Sequence, residues 1–115
     1  TESRGTPFQE EDTCRLMEEI AGGKGPEAIV CYNDEVAFGL VKCLLSAGRR
    51  VPEDVAVVSF DNSNLSWISQ VPITSLSYED RNIGRIAAQK LVDILDGRDV
   101  SSEVLPWTFI QKESS

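Results

Sequence analysis

Histidine is absent from these 115 residues, which removes the commonest general base and metal ligand. No GxSxG elbow surrounds Ser59, no glycine-rich phosphate loop appears, and the acids show no metal-binding spacing. These gaps speak against an enzyme and against a resident metal or cofactor. The three cysteines (Cys14, Cys31, Cys43) lack CxxC spacing. Cys31 in a strand and Cys43 on a helix are expected as reduced, buried thiols that pack like small hydrophobes, which fits a reducing, cytoplasmic setting. No apolar run is long enough to span a membrane, and no charged-then-apolar signal segment opens the sequence. Positive charge is scarce as well: 11 Lys and Arg face 19 Asp and Glu, for a net charge of −8. Such a surface repels a phosphate backbone, and there is no basic stripe or recognition-helix candidate. The chain does not grip nucleic acid by itself.

At this length the chain is one domain or part of one. Its most informative stretch is a strand, helix and strand over residues 28–62. Ala28-Ile29-Val30-Cys31-Tyr32 is an apolar run that predicts a strand. Asn33-Asp34 open an amphipathic helix that Gly48 closes, and a second apolar run over residues 55–60 ends at Asp61-Asn62. Parallel strands joined by a helix bring their carboxyl ends to one edge of the sheet, where ligands of open α/β sheets bind. Asn33 and Asp61 would then face one crevice. The Asn33 amide both donates and accepts, and an ionised Asp61 takes hydrogen bonds from two hydroxyls at once. The pair suits a polyhydroxylated ligand such as a sugar. Plainer roles fit the same residues: Asn33 as a helix cap and Asp61 as a turn former. Tyr32 either stacks on a sugar ring or packs at the sheet edge. Asp34 reads as a cap that accepts from the free N–H groups of the helix start.

Residues 1–6 are polar. Residues 7–20 read as a helix with Phe8, Leu16, Met17 and Ile20 on its apolar face and an acidic start (Glu10, Glu11, Asp12) that complements the helix dipole. Gly22-Gly23-Lys24-Gly25-Pro26 ends it. In the helix over residues 34–47, Val36, Ala37, Leu40, Val41 and Leu44 form the core-facing arc. Phe38 and Leu45 extend that arc past what one sheet covers, so the helix is either deeply buried or shared with a partner. Residues 62–70 read as a polar loop whose Leu65, Trp67 and Ile68 plug a local pocket or meet another surface. A short strand is expected over residues 73–77. A long helix is expected over residues 78–95, with a capping-box variant at Ser77-x-x-Asp80 and Gly97 as its stop. Residues 104–110 alternate around Leu105, Trp107 and Phe109 and predict a terminal strand.

These pieces, in this order, resemble the effector-binding domain of the lac/galactose repressor family, which is built like periplasmic sugar-binding proteins. The matching stretches are Asn33 to Gly39, Gly48-Arg49-Arg50-Val51-Pro52-Glu53-Asp54-Val55, Val57-Val58-Ser59-Phe60-Asp61-Asn62, Pro72-Ile73-Thr74-Ser75-Leu76, and Gly84 with Ala87-Ala88. Cys31-Tyr32-Asn33-Asp34-Glu35 looks most like the arabinose repressors of Gram-positive bacteria. Two departures are visible: Ser59 stands where the family usually has glycine, and Lys112 where arginine is usual.

The resemblance implies a Rossmann-like, doubly wound parallel α/β sheet, the C-terminal part of a type I periplasmic-binding-protein-like fold. Residues 1–115 would be the C-terminal portion of an effector-binding domain, with the helix at 78–96 packing on the other lobe. It also implies a cytoplasmic, sugar-responsive regulator of repressor type, with no enzymatic activity and no cofactor. Asn33, Asp61 and Tyr32 would contact the effector, a sugar such as arabinose. Phe38, Lys42, Leu45, Leu65 and Trp67 would lie in a homodimer interface, and DNA would be reached only through a domain outside these residues. Two alternatives remain at this point. One is a transport-type sugar-binding protein of the same fold. The other is a response-regulator receiver domain phosphorylated on Asp61, which needs further acids on an earlier strand to hold magnesium.

Overall fold

A computed structural model describes residues 10–78 and 82–115. In chain order these form α1 (Glu10–Ala21), β1 (Ala28–Val30), α2 (Asp34–Ser46), β2 (Ala56–Phe60), α3 (Asn64–Ile68), β3 (Thr74–Ser77), α4 (Ile83–Leu95) and β4 (Thr108–Ile110). The four strands make one sheet in the order β1-β2-β3-β4. The first three run parallel, with Ile29 beside Val57 and Ser59 beside Ser75, and β4 is antiparallel, with Phe109 beside Leu76. Each parallel step moves the same way along the sheet, so right-handed crossovers carry α2 and α3 to the same face. The core lies between that face and the helices: Ala37, Leu40, Val41 and Leu44 of α2 meet Val55, Val57 and Ile73, with Ile20 of α1 closing one side.

The expected helical arc of α2 is the one that is buried. Val36, expected within the arc, is only half-buried, as are Phe38 and Leu45 beside it, and all three pack against the same core. Strand β1 is shorter than its apolar run, although the Cys31 N–H still donates to the Val58 carbonyl at 2.7 Å. Strand β4 covers only the end of the stretch expected to be a strand. Pro106 has no N–H to give a ladder, and Val104 is exposed.

Three expectations are corrected. The helix expected from residue 78 starts at Ile83 with Asn82 as its cap, and Ser77, expected to open a capping box, ends β3 instead. Residues 62–70 are not simply a loop, because Asn64–Ile68 form a helical turn. Its start is held by the Ser66 hydroxyl donating to the Ser63 carbonyl at 2.7 Å, a local bond that no apolar periodicity announces. Cys43 is exposed rather than buried, whereas Cys31 is buried as expected; Cys43 falls on the solvent side of α2 between Leu40 and Leu44. The expected features at Phe8 and Asp80, and the side chains of Glu11, Asp12 and Cys14, lie outside the described residues. Among those residues, no helix is long and apolar enough to cross a membrane.

Candidate functional site

The parallel register brings the carboxyl ends of β1, β2 and β3 to one edge, and the chain leaves that edge through polar turns. After β2 the backbone enters a conformation that L-residues seldom adopt: Asp61 has φ of 100° and Asn62 of 51°. Two consecutive non-glycine residues there store strain that the surroundings must hold, a pattern that concentrates at functional sites. The Asp61 N–H donates to the Leu76 carbonyl at 2.9 Å, and the Asn62 N–H to Ser75 Oγ at 2.9 Å. The turn is thus pinned to β3 while the Asp61 side chain stays exposed.

Tyr32, Phe60, Asp61 and Trp107 line an open cavity of about 370 Å³ at this edge. Tyr32 is 74% exposed, so its ring does not serve as core packing. Trp107 closes the other side. Its ring lies 3.9 Å from that of Tyr78 and meets Phe60 edge-on at 5.2 Å. An aromatic wall beside a carboxylate can bind a ligand with one apolar face and one hydroxylated edge. Sequence reasoning placed Trp107 only in a terminal strand. Its one signal was a large aromatic beside Pro106, next to an alternation that pointed elsewhere.

Asn33 follows Tyr32 in the chain and is not among the cavity's lining residues. It is the N-cap of α2, with Oδ1 accepting from the Val36 N–H at 2.9 Å. Its carbonyl is therefore committed, and its amide nitrogen is the part left to face a ligand. Asp34 does not cap α2, contrary to the expectation. It is buried, and its carboxylate accepts from Ser59 Oγ, from Ser75 Oγ at 3.0 Å and from the Ser63 N–H. Capping is set by backbone geometry at the helix start. Asn33 is extended there and Asp34 is already helical, which turns the Asp34 side chain inward to join α2, β2, β3 and the start of α3. A buried carboxylate is tolerable because donors surround it.

Lys112 is buried as well. Its ammonium donates to Asn62 Oδ1 at 2.7 Å, Ser66 Oγ at 3.0 Å and the Ile73 carbonyl at 2.9 Å. Ser59 thus holds Asp34, the chain neighbour of Asn33, and Lys112 holds Asn62, the chain neighbour of Asp61.

A second surface runs across α2 and α3. Phe38 and Lys42 line a shallow cavity of about 290 Å³ together with Val41, Ser69 and Gln70. Beside it Trp67 is 55% exposed, Lys42 is exposed and Leu65 is half-buried. Leu45 packs against the core cluster and is not among that cavity's residues. A larger cavity, about 460 Å³, opens at the opposite edge of the sheet between Ile20, Glu27 and Arg49. It lies away from the strands' carboxyl ends, and the Arg49 guanidinium there is already donating to the Ile20 carbonyl at 3.0 Å. No group of three His, Cys, Asp or Glu side chains able to hold a metal occurs among the described residues.

The model of the periplasmic binding protein-like domain matches residues 1–115. The HTH-type transcriptional repressor MelR of Bacillus subtilis (strain 168) is 36% identical over 102 residues, covering 87% of this chain and 30% of MelR. The lactose operon repressor of Rhizobium radiobacter is 35% identical over 91 residues, covering 78% of this chain and 80% of that sequence. Among solved structures, a complex of the transcriptional regulator CelR with cellobiose superimposes with a TM-score of 0.76 at 30% identity. It covers 90% of this chain and 32% of CelR. The chain thus spans about a third of the length of MelR and of CelR.

Proposed function

The chain belongs to the periplasmic binding protein-like domain family, and we propose that it forms the carboxyl-terminal portion of the sugar-sensing domain of a repressor-type transcriptional regulator. The observation that carries this reading is the cavity at the carboxyl edge of the sheet, where Tyr32 and Asp61 meet beneath Trp107. Asp61 accepts from two sugar hydroxyls, Asn33 donates its amide hydrogens to another, and Tyr32 and Trp107 cover the ring's apolar face. No step of covalent chemistry is involved. Resemblance of residues 31–35 makes arabinose the first sugar to test.

The same reading gives the remaining surfaces their occupants. Phe38, Lys42, Leu45, Leu65 and Trp67 belong to a homodimer interface along α2 and α3. Helix α4 and its flanks, residues 78–96, pack on a second lobe that completes the sugar site from the other side. With a net charge of −8, the chain reaches operator DNA only through another domain. Sugar closing the two lobes would change how the subunits are oriented, provided that it contacts the open and closed states differently.

The experiment is a thermal-shift screen of the intact regulator against pentoses and hexoses. A true effector at about 100 times its Kd stabilises the folded state by about 2.7 kcal/mol. We expect one sugar to raise the melting temperature of the wild type and to leave Asp61→Ala unmoved. If no sugar shifts the wild type, or if Asp61→Ala responds equally, the site is assigned wrongly. For the interface, Phe38→Glu is expected to sediment as a monomer, and unchanged sedimentation would reject that assignment.

A further inference from the structure

Lys112 carries a charge that none of these roles uses. A lysine ammonium has three donors and no acceptor, and here the three acceptors come from three different parts of the fold. Asn62 belongs to the strained turn that carries Asp61, Ser66 belongs to α3, and Ile73 precedes β3. The same nitrogen lies 4.2 Å from the centre of the Trp67 ring, so its charge also holds that ring by a cation–π contact. We propose that Lys112 is a positioning residue of the site, whose ammonium ties the Asp61-Asn62 turn to α3 so that ligand binding at Asp61 is felt at Trp67.

The proposal rests on the reading of Asp61 as a sugar contact. Its physical basis is the saturation of the ammonium. A buried cation that loses one acceptor pays the full desolvation of that N–H, so when Asn62 shifts, Nζ follows it. Ser66 and the Trp67 ring share Nζ and shift too. The turn itself needs such a hold. Asn62 sits at positive φ, and besides Lys112 it is gripped by Ser75 Oγ through its backbone N–H. Removing the ammonium takes away the shorter bond to Asn62 Oδ1, at 2.7 Å, and leaves in place the longer one from Ser66 Oγ, at 3.4 Å.

The test uses the intact regulator labelled with 5-fluorotryptophan, with the Trp67 signal assigned through Trp67→Phe. Lys112→Met removes the donors at similar length, and Lys112→Gln is the milder change if the Met variant does not fold. Lys112→Arg keeps the charge and supplies enough donors for rescue. Without ligand, hydrogen exchange of the peptide containing Asp61 and Asn62 is expected to accelerate about tenfold in the Met or Gln variant. Exchange in α2 should stay as in the wild type, and Arg should restore the slow rate. With sugar, affinity is expected to fall about tenfold and the Trp67 fluorine shift to vanish, both recovering with Arg. Unchanged exchange in the Met and Gln variants overturns the proposal, as does a Trp67 shift of undiminished size. If exchange responds but no sugar binds even the wild type, the sugar reading itself has failed. Lys112 would then be a residue of the fold alone.

Discussion

Helices α2 and α4 are near twins in local construction and opposites in tertiary use. Each has thirteen residues. Each is capped by an asparagine whose Oδ1 accepts at 2.9 Å from the N–H three residues on, Asn33 from Val36 and Asn82 from Arg85. Each ends in the same paired bonds, closed by a glycine at positive φ. Gly48 N–H donates to Leu45 and Arg49 N–H to Leu44; Gly97 N–H donates to Ile94 and Arg98 N–H to Asp93. Yet α2 buries Ala37, Leu40, Val41 and Leu44, while α4 has no buried residue, and its Leu91, Ile94 and Leu95 stay exposed. Start and stop signals are therefore sufficient to bound a helix but silent on whether anything packs against it. On the present reading α4 is a face made for the second lobe. Lys90 meanwhile ties it to the following segment through the Ser101 carbonyl at 2.8 Å and Glu103 at 3.4 Å.

The contrast can be broken most directly in the core. Leu44→Ala is expected to cost about 2–5 kcal/mol, against no more than about 0.5 kcal/mol for Leu91→Ala in the 115-residue chain. Urea denaturation of both variants decides this, and equal losses would mean that α4 packs on the rest of the chain. Adding the second lobe should make the Leu91 variant costly, which sharpens the comparison. Next in size is Asp34→Ala, which strands donors from Ser59, Ser75 and Ser63 and is expected to cost about 1–3 kcal/mol. Its readout is the same denaturation, with Glu35→Ala on the exposed side of α2 as the neutral control.

The caps should separate the helices more subtly. Asn33→Ala and Asn82→Ala each remove about 1 kcal/mol from their own helix. Only the first is expected to lower the global unfolding midpoint, whereas the second shows as lost helical ellipticity before the main transition. The smallest effect is chemical. In a Cys14→Ser background at pH 8, Cys43 is expected to react promptly with a thiol reagent while Cys31 resists. Burial pushes the Cys31 thiol up from 9.0 to about 12, and the thiolate is the reactive form. A raised folded pKa means that this contribution to stability is whole below pH 9.0 and erodes as pH climbs towards about 12. Alkaline destabilisation should therefore be weaker in Cys31→Ala.

Much of the fold was legible because it is written in short-range code. The apolar runs at 28–32 and 55–60, the arc on α2 and the glycines after both long helices each gave the right element, since period and cap chemistry act over one or two turns. The family resemblance supplied the parallel arrangement of the sheet. The site was legible in outline only. Asp61 stood out as an acid at a strand end, but nothing local said that its backbone would sit at positive φ or that Trp107 would arrive opposite.

What the sequence determined by itself was the kind and rough place of the main helices and strands, and a surface with a net charge of −8. What only the tertiary structure decided was the division of labour among neighbouring polar residues. Asn33 and Asp34 are adjacent and equally good caps on paper, yet one caps and the other is buried beneath Ser59 and Ser75. Lys112, fifty positions from Asn62, became its partner. Such assignments depend on which donors the folded chain brings within about 3 Å of a carboxylate or an ammonium. Hydrogen bonds are short and directional, and contacts over that range of sequence form only when the sheet has closed.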